Sequence, residues 1–257
     1  MNLDRSPSRF GQELRRWRAT RGRSQLELAH LAGTTPRHVS FLETGRSRPS
    51  QELVLRLAVA LEVPLRQRNV LLLSAGLPPA FPERGLDDAA MGPIRQVIDR
   101  LLDQHEPYPG VAFDRGYRIL RKNAAATRLL APAGDVDWLD AVFAPESPLR
   151  PTVENFAEIA FATLDLLRLE AFESGGDEVL RRMERHLRGV VRPASPAPDL
   201  PAPVVCPRFR FGDRVVRTLT TIARFGTARD VALDELRVEL VFPADEDSAR
   251  FFVELAG

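Results

Sequence analysis

Along the first third of the chain, apolar residues recur every three or four positions. Phe10, Leu14 and Trp17 fall on one stripe of a helix. Gly22 is a natural stop for it. Ser24 stands where an N-cap belongs, and Glu27 three residues on completes the spacing of a capping box. Leu28, Ala29 and Ala32 carry the inward stripe of a second helix, and Gly33 permits a left-handed turn. Thr35 caps a third helix with Pro36 in its first position. Val39 and Leu42 anchor that helix and Gly45 ends it. A fourth helix is predicted from about Gln51, through Val54, Leu57, Ala58 and Leu61, and a fifth from Pro64 to Gly76. Residues 1–76 therefore read as an all-α domain of five short helices.

Residues 77–92 concentrate proline and glycine and read as a linker. The pattern then changes. A helix over 93–105 carries Ile94, Val97, Ile98, Leu101 and Leu102. Residues 109–122 read as strand, tight turn at Arg115-Gly116, and strand, with a helix beginning near Asn123. The middle is helical. Val153, Phe156, Ala160, Leu164 and Leu167 make one face, widened by Ile159, Leu166 and Phe172. A shorter helix carries Val179, Leu180, Met183 and Leu187. Six prolines over 193–207 predict a loop. Near the end, Leu236, Val238, Leu240 and Phe242 alternate with Arg237, Glu239 and Val241, the period of a half-buried strand. The expected fold class is α+β: a helical domain, then an antiparallel sheet covered by helices over 93–257.

Charge separates the same two parts. Residues 1–84 hold 14 arginines against 7 acidic residues, whereas residues 85–257 hold 22 basic against 28 acidic ones. A basic head suits a polyanion and an acidic body does not. With a single cysteine, Cys206, no intrachain disulfide framework exists. No apolar run reaches the length of a membrane span, and no signal-peptide core opens the chain, so no membrane partner and a cytoplasmic location are expected. The four histidines, His30, His38, His105 and His186, are scattered without metal-ligand spacing. Phosphate loops and nucleophile elbows are missing. No catalytic residue, metal or obligate cofactor is expected.

The pieces Ser24-Gln25, Leu28-Ala29, Ala32-Gly33, Val39-Ser40, Leu42-Glu43, Gly45-Arg46 and Pro49-Ser50 resemble the Xre family of phage-repressor-like helix-turn-helix proteins, which places the chain in a bacterium. The resemblance implies that the third helix reads double-stranded DNA. Its outward residues are then the candidate contacts: Thr35, Pro36, Arg37, His38 and Ser40, with Arg46 and Arg48 flanking them. Arg37 suits guanine through its forked donors. Gln25, at a helix start, suits a phosphate. Arg18 and Glu43 occupy positions that form an internal ion pair in that family. A homodimer on an inverted repeat is expected.

The segment Pro109–Leu130, together with Ile222–Glu246, is similar to the PAS-like ligand-binding domain of MmyB-like regulators, which follows an Xre-type head. That resemblance implies a fatty acid or another small apolar molecule held between the sheet and the covering helices. Candidate lining residues are Phe113, Trp138, Phe143, Phe156, Phe161, Leu164, Phe211, Leu219 and Ile222. Arg118 or Arg168 would anchor a carboxylate, and the sequence does not choose between them. One departure stands out: Cys206-Pro207 replaces the His-Pro-type motif more usual before the last strands. The leading reading is a ligand-responsive regulator, a repressor. A constitutive DNA-binding protein whose second domain only dimerises or recruits partners is the alternative, and a thiol sensor at Cys206 is a third.

Overall fold

The computed structural model describes residues 8–134, 136–190 and 204–256. They fold as two compact units, one built chiefly on residues up to Glu83 and the other chiefly on those from Arg84.

The first unit is all helix: α1 (Arg9–Thr20), α2 (Gln25–Leu31), α3 (Pro36–Glu43), α4 (Gln51–Ala60) and α5 (Leu65–Ser74). Helices begin where a side chain satisfies the free N–H groups of the first turn. Ser24 Oγ accepts from the Glu27 N–H at 3.1 Å, and the Glu27 carboxylate accepts from the Ser24 N–H at 2.7 Å. Thr35 Oγ1 accepts from the His38 N–H at 3.1 Å, with Pro36 opening α3. Phe10, Leu14 and Trp17 join Leu28, Val39, Leu42, Val54 and Leu57 in one core. Gly33 sits at φ +61°, the left-handed geometry the α2–α3 turn requires. Gly11 has a different necessity, invisible in the hydrophobic period. A Cβ there would lie 2.6 Å from the backbone oxygens of Leu42 and Glu43, so α1 meets the end of α3 backbone to backbone.

The proline-rich segment after α5 is pinned rather than slack. Asn69 on α5 accepts from the N–H groups of Ala80 and Phe81 at 3.0 and 3.1 Å and donates to the Phe81 carbonyl at 2.7 Å. Leu86 and Met91 are buried.

The second unit contains α6 (Gly92–Gln104), β1 (Gly110–Phe113), β2 (Ile119–Lys122), α7 (Ala124–Leu130), α8 (Trp138–Phe143), α9 (Phe156–Glu173), α10 (Glu178–Val190), β3 (Arg208–Phe211), β4 (Arg214–Ala223), α11 (Val231–Glu235), β5 (Arg237–Pro243) and α12 (Glu246–Ala256). The strands form one antiparallel sheet in the order β2-β1-β5-β4-β3. The last strand is inserted at the centre, between β1 and β4. This is a PAS-like arrangement of a curved antiparallel sheet surrounded by helices. One face carries α6, whose Ile98 and Leu102 pack on Ala112, Leu236 and Val238. On the other, Val111, Phe113 and Val216 pack with Ile159, Leu164 and Leu167 of α9 and Phe252 of α12.

Asn123 ties these layers. Its Oδ1 accepts from Gly110 N at 3.0 Å and from Ala126 N at 2.9 Å, capping α7. Its Nδ2 donates to the carbonyls of Leu102 and Tyr108 at 3.2 and 2.8 Å. A buried amide with all its main sites satisfied is stable where a half-satisfied one is not.

Three expectations need correction. The first half of strand β5 is not half-buried, because both faces of the sheet are covered there: Val238 is 2% exposed on one side and Arg237 only 7% on the other. Val153 does not belong to the α9 face; it precedes the helix and bridges to Phe209. Leu166 and Phe172 are 37% and 58% exposed, so the inward stripe of α9 is narrower than its apolar content suggests. Of the expected proline loop, residues 193–203 lie outside the described residues, and 204–207 lead into β3 without regular structure.

Candidate functional site

The first unit presents an uncompensated basic face. Thr35, Pro36 and Arg37 at the start of α3 are exposed, as are Arg46 and Arg48 just beyond its end. No ion pair to these three arginines occurs among the described residues. The guanidinium groups of Arg37 and Arg46 lie 5.2 and 5.8 Å from the Phe41 ring centre, one residue's π-face serving both cations. Phe41 was not among the expected contacts; its i+4 spacing from Arg37 was the available signal. Forked donors with no internal acceptor suit phosphate oxygens and guanine edges. His38 and Ser40 are half-buried. The His38 ring nitrogens are engaged inside the motif, 3.1 Å from Thr34 Oγ1 and 3.3 Å from Ser47 Oγ.

Behind this face sits Glu43, whose side chain is fully buried. Arg18 grips it with both ends of its fork, Nε to Oε1 at 2.6 Å and Nη2 to Oε2 at 3.1 Å. The Gln25 amide donates to Oε2 at 2.9 Å and Arg15 Nε at 3.4 Å. Burial acts to raise the Glu43 pKa, but the hydrogen bonds from Arg18 and Gln25 outweigh it and hold the carboxyl below its ordinary value. The Gln25 side chain, expected at a phosphate, is thus committed to Glu43.

The second unit contains a pocket of about 210 Å³ between the sheet and helices α8 and α9. Its apolar walls include Trp138, Phe143, Ile159, Ala162 and Leu166, with Ile222 and Val241 from the sheet. The sheet wall follows the strand period: Thr218, Thr220 and Ile222 face it from β4, Glu239 and Val241 from β5. Tyr117 closes one end. It adopts φ +60°, a conformation that costs a non-glycine residue about 1–3 kcal/mol. Stacking on Phe113 at 4.9 Å holds it, and its carbonyl accepts from the Trp138 N–H at 3.0 Å.

Glu239 is the polar group of this wall that the hydrophobic pattern conceals. It is half-buried and lines the pocket. Trp138 Nε1 donates to its Oε2 at 2.9 Å. Burial pushes its pKa up to about 7, against the opposing effect of the Trp138 bond.

The expected lining residues divide. Trp138, Phe143 and Ile222 line the pocket. Phe113 and Leu164 lie in the core behind it. Phe156 packs at a tilt against Phe143 and under the Arg150 guanidinium, and Phe211 stacks on Phe251. Phe161 is half-buried outside the wall, and Leu219 is 46% exposed on the opposite face of β4. Arg118 and Arg168 are also outside: Arg118 pairs with Asp114 at 3.1 Å, Arg168 with Asp165 at 3.2 Å and Glu184 at 3.3 Å. Cys206 is half-buried, and its carbonyl accepts from Asn155 Nδ2 at 3.0 Å. Among the described residues, no cluster suited to a metal ion occurs, and no helix is long and apolar enough to cross a membrane.

Residues 94–255 match the MmyB-like transcription regulator ligand binding domain, and residues 14–67 match a helix-turn-helix domain. No curated protein matches the chain. Among solved structures, the restriction-modification controller protein C.AhdI from Aeromonas hydrophila is 38% identical over 24% of this chain and 92% of its own, with a TM-score of 0.23. The clp gene regulator ClgR from Corynebacterium glutamicum is 32% identical over 27% of this chain and 86% of its own, with a TM-score of 0.24.

Proposed function

Since the chain belongs to the MmyB-like transcription regulators, with a helix-turn-helix domain ahead of the ligand-binding domain, we propose that a small apolar molecule in the pocket of the second unit sets the DNA affinity of the first. The observation that carries this reading is the pocket itself, about 210 Å³ with mainly apolar walls and few polar groups. Well-packed cores leave few voids larger than a water molecule, so a space of this size supports the reading as a binding site. The ligand regulates only if it binds the DNA-competent and DNA-incompetent arrangements with different affinities.

On the DNA side, Arg37 reads a base edge while Arg46 and Arg48 neutralise phosphates. Thr35 and Pro36 lie against the duplex at the start of α3. The protein acts as a homodimer on an inverted repeat, because one head of this size reaches few bases. It acts as a repressor, since occupying an operator requires only the head. Mass spectrometry of small molecules released on denaturing the purified chain tests the ligand reading. A stoichiometric apolar molecule agrees with it. A chain that releases nothing and gains no thermal stability from hydrophobic metabolites contradicts it.

A further inference from the structure

The pocket wall offers one carboxyl group and no cation. None of its lining residues is Arg, Lys or His. Of its polar side chains, the Tyr117 hydroxyl donates to Glu170 at 3.4 Å and the Thr218 hydroxyl to the Pro207 carbonyl at 2.9 Å, while the Thr163 and Thr220 hydroxyls have no partner among the described residues. Arg237, on the same face of β5, lies outside the wall; its Nη2 is held by Glu170 at 2.8 Å, while its buried Nε has no partner among the described residues. Glu239 is different. Trp138 occupies Oε2, and Oε1 has no hydrogen-bond partner among the described residues. A carboxyl in a mainly apolar pocket wall with an open acceptor gains when a donor reaches it.

We infer that the pocket takes an apolar molecule headed by a hydrogen-bond donor, an ammonium in preference to a hydroxyl, which binds Glu239, and that it disfavours a carboxylate head. An ammonium neutralises the buried charge and fills the open acceptor site. A hydroxyl fills the site without neutralising it. A carboxylate meets like charge in a mainly apolar wall that includes no guanidinium. The volume of about 210 Å³ suits a small molecule with a chain of modest length. This inference rests on the reading of the pocket as a ligand site.

The test uses the full chain with octylamine, octanol and octanoate at about pH 8, where Glu239 is mainly ionised. Calorimetric titration should rank them in that order, with octylamine about tenfold tighter than octanoate. Glu239→Gln keeps an acceptor for Trp138 but removes the charge, and should bring octylamine and octanoate to within about threefold of each other. Ala162→Phe fills the pocket from its wall and should abolish binding of all three. Equal wild-type affinities for octylamine and octanoate would overturn the head-group inference while leaving a ligand site in place. So would octylamine binding that survives Ala162→Phe, since it would then be attached elsewhere. The wild-type ranking decides the matter even if Glu239→Gln does not fold. If none of the three binds, the ligand-site reading itself fails, and this inference with it.

Discussion

Arg18 and Glu43 form a two-point ion pair at 2.6 and 3.1 Å, joining α1 to the last turn of α3 with the carboxylate fully buried. Removing one partner of such a pair strands the other without compensation. Glu43→Gln should therefore lower the stability of the first unit by about 3 kcal/mol, as seen by chemical denaturation of the full chain. The pH dependence follows from the lowered pKa. The stability that Glu43 contributes is complete above the ordinary value of 4.5 and is lost as pH falls below it, through its own lower value. A Glu43→Gln protein with wild-type denaturation at neutral pH would show that the pair contributes nothing.

Arg37 and Arg46 share the Phe41 ring but should fail differently. Arg37→Ala should cost about 1–3 kcal/mol on the preferred site and relax one base preference. Arg46→Ala should weaken binding to all sequences alike and reduce the salt slope by about one unit or less. Phe41→Leu keeps both charges and so should keep the salt slope while lowering affinity. Fluorescence anisotropy on matched and mismatched duplexes across a salt series separates these outcomes. Equal loss of specificity in both arginine variants would contradict the division of roles.

Symmetry gives a third expectation. The full chain should protect two half-sites related by inversion, with centres about 34–36 Å apart. Footprinting together with ultracentrifugation checks it. A monomer protecting one asymmetric site would contradict it.

Glu239 should make the ligand-free second unit less stable as pH rises. Its pKa is raised from 4.5 to about 7, so the stability it contributes is fully present below 4.5 and is lost as pH climbs through about 7. The carboxyl is faced by the Trp138 indole from α8 and the Tyr117 phenol, with no cation in the pocket wall. Thermal midpoints of wild type and Glu239→Gln should thus diverge between about pH 5 and 8, the variant changing less. Parallel profiles would show that Glu239 is solvated.

The helix-turn-helix half was legible because its signals are local. Ser24, Glu27, Thr35 and Pro36 act within one turn, and the structure places each cap where the spacing put it. The second unit was legible as a class of fold, but its pocket only in part, through Trp138, Phe143 and Ile222. Both faces of the sheet are covered at the start of β5, so the alternation there could not say that Glu239 looks into the pocket. Leu164 sits at helical spacing with the inner stripe yet is core, while Ala162 and Thr163 reach the pocket. Small residues carry no hydrophobic signal. The exposed pairing of Arg118 and Arg168 was partly readable, since Asp114 and Asp165 stand four and three residues before them.

The central claim is that occupancy of the pocket changes the affinity of the head for DNA. Its most direct test is the dissociation constant of the full chain for a duplex selected from random DNA, measured with and without saturating octylamine. The expected change is about 5–150-fold, a coupling of roughly 1–3 kcal/mol, and it disappears in Ala162→Phe while basal DNA binding persists. An unchanged dissociation constant at demonstrated saturation of the pocket would contradict it.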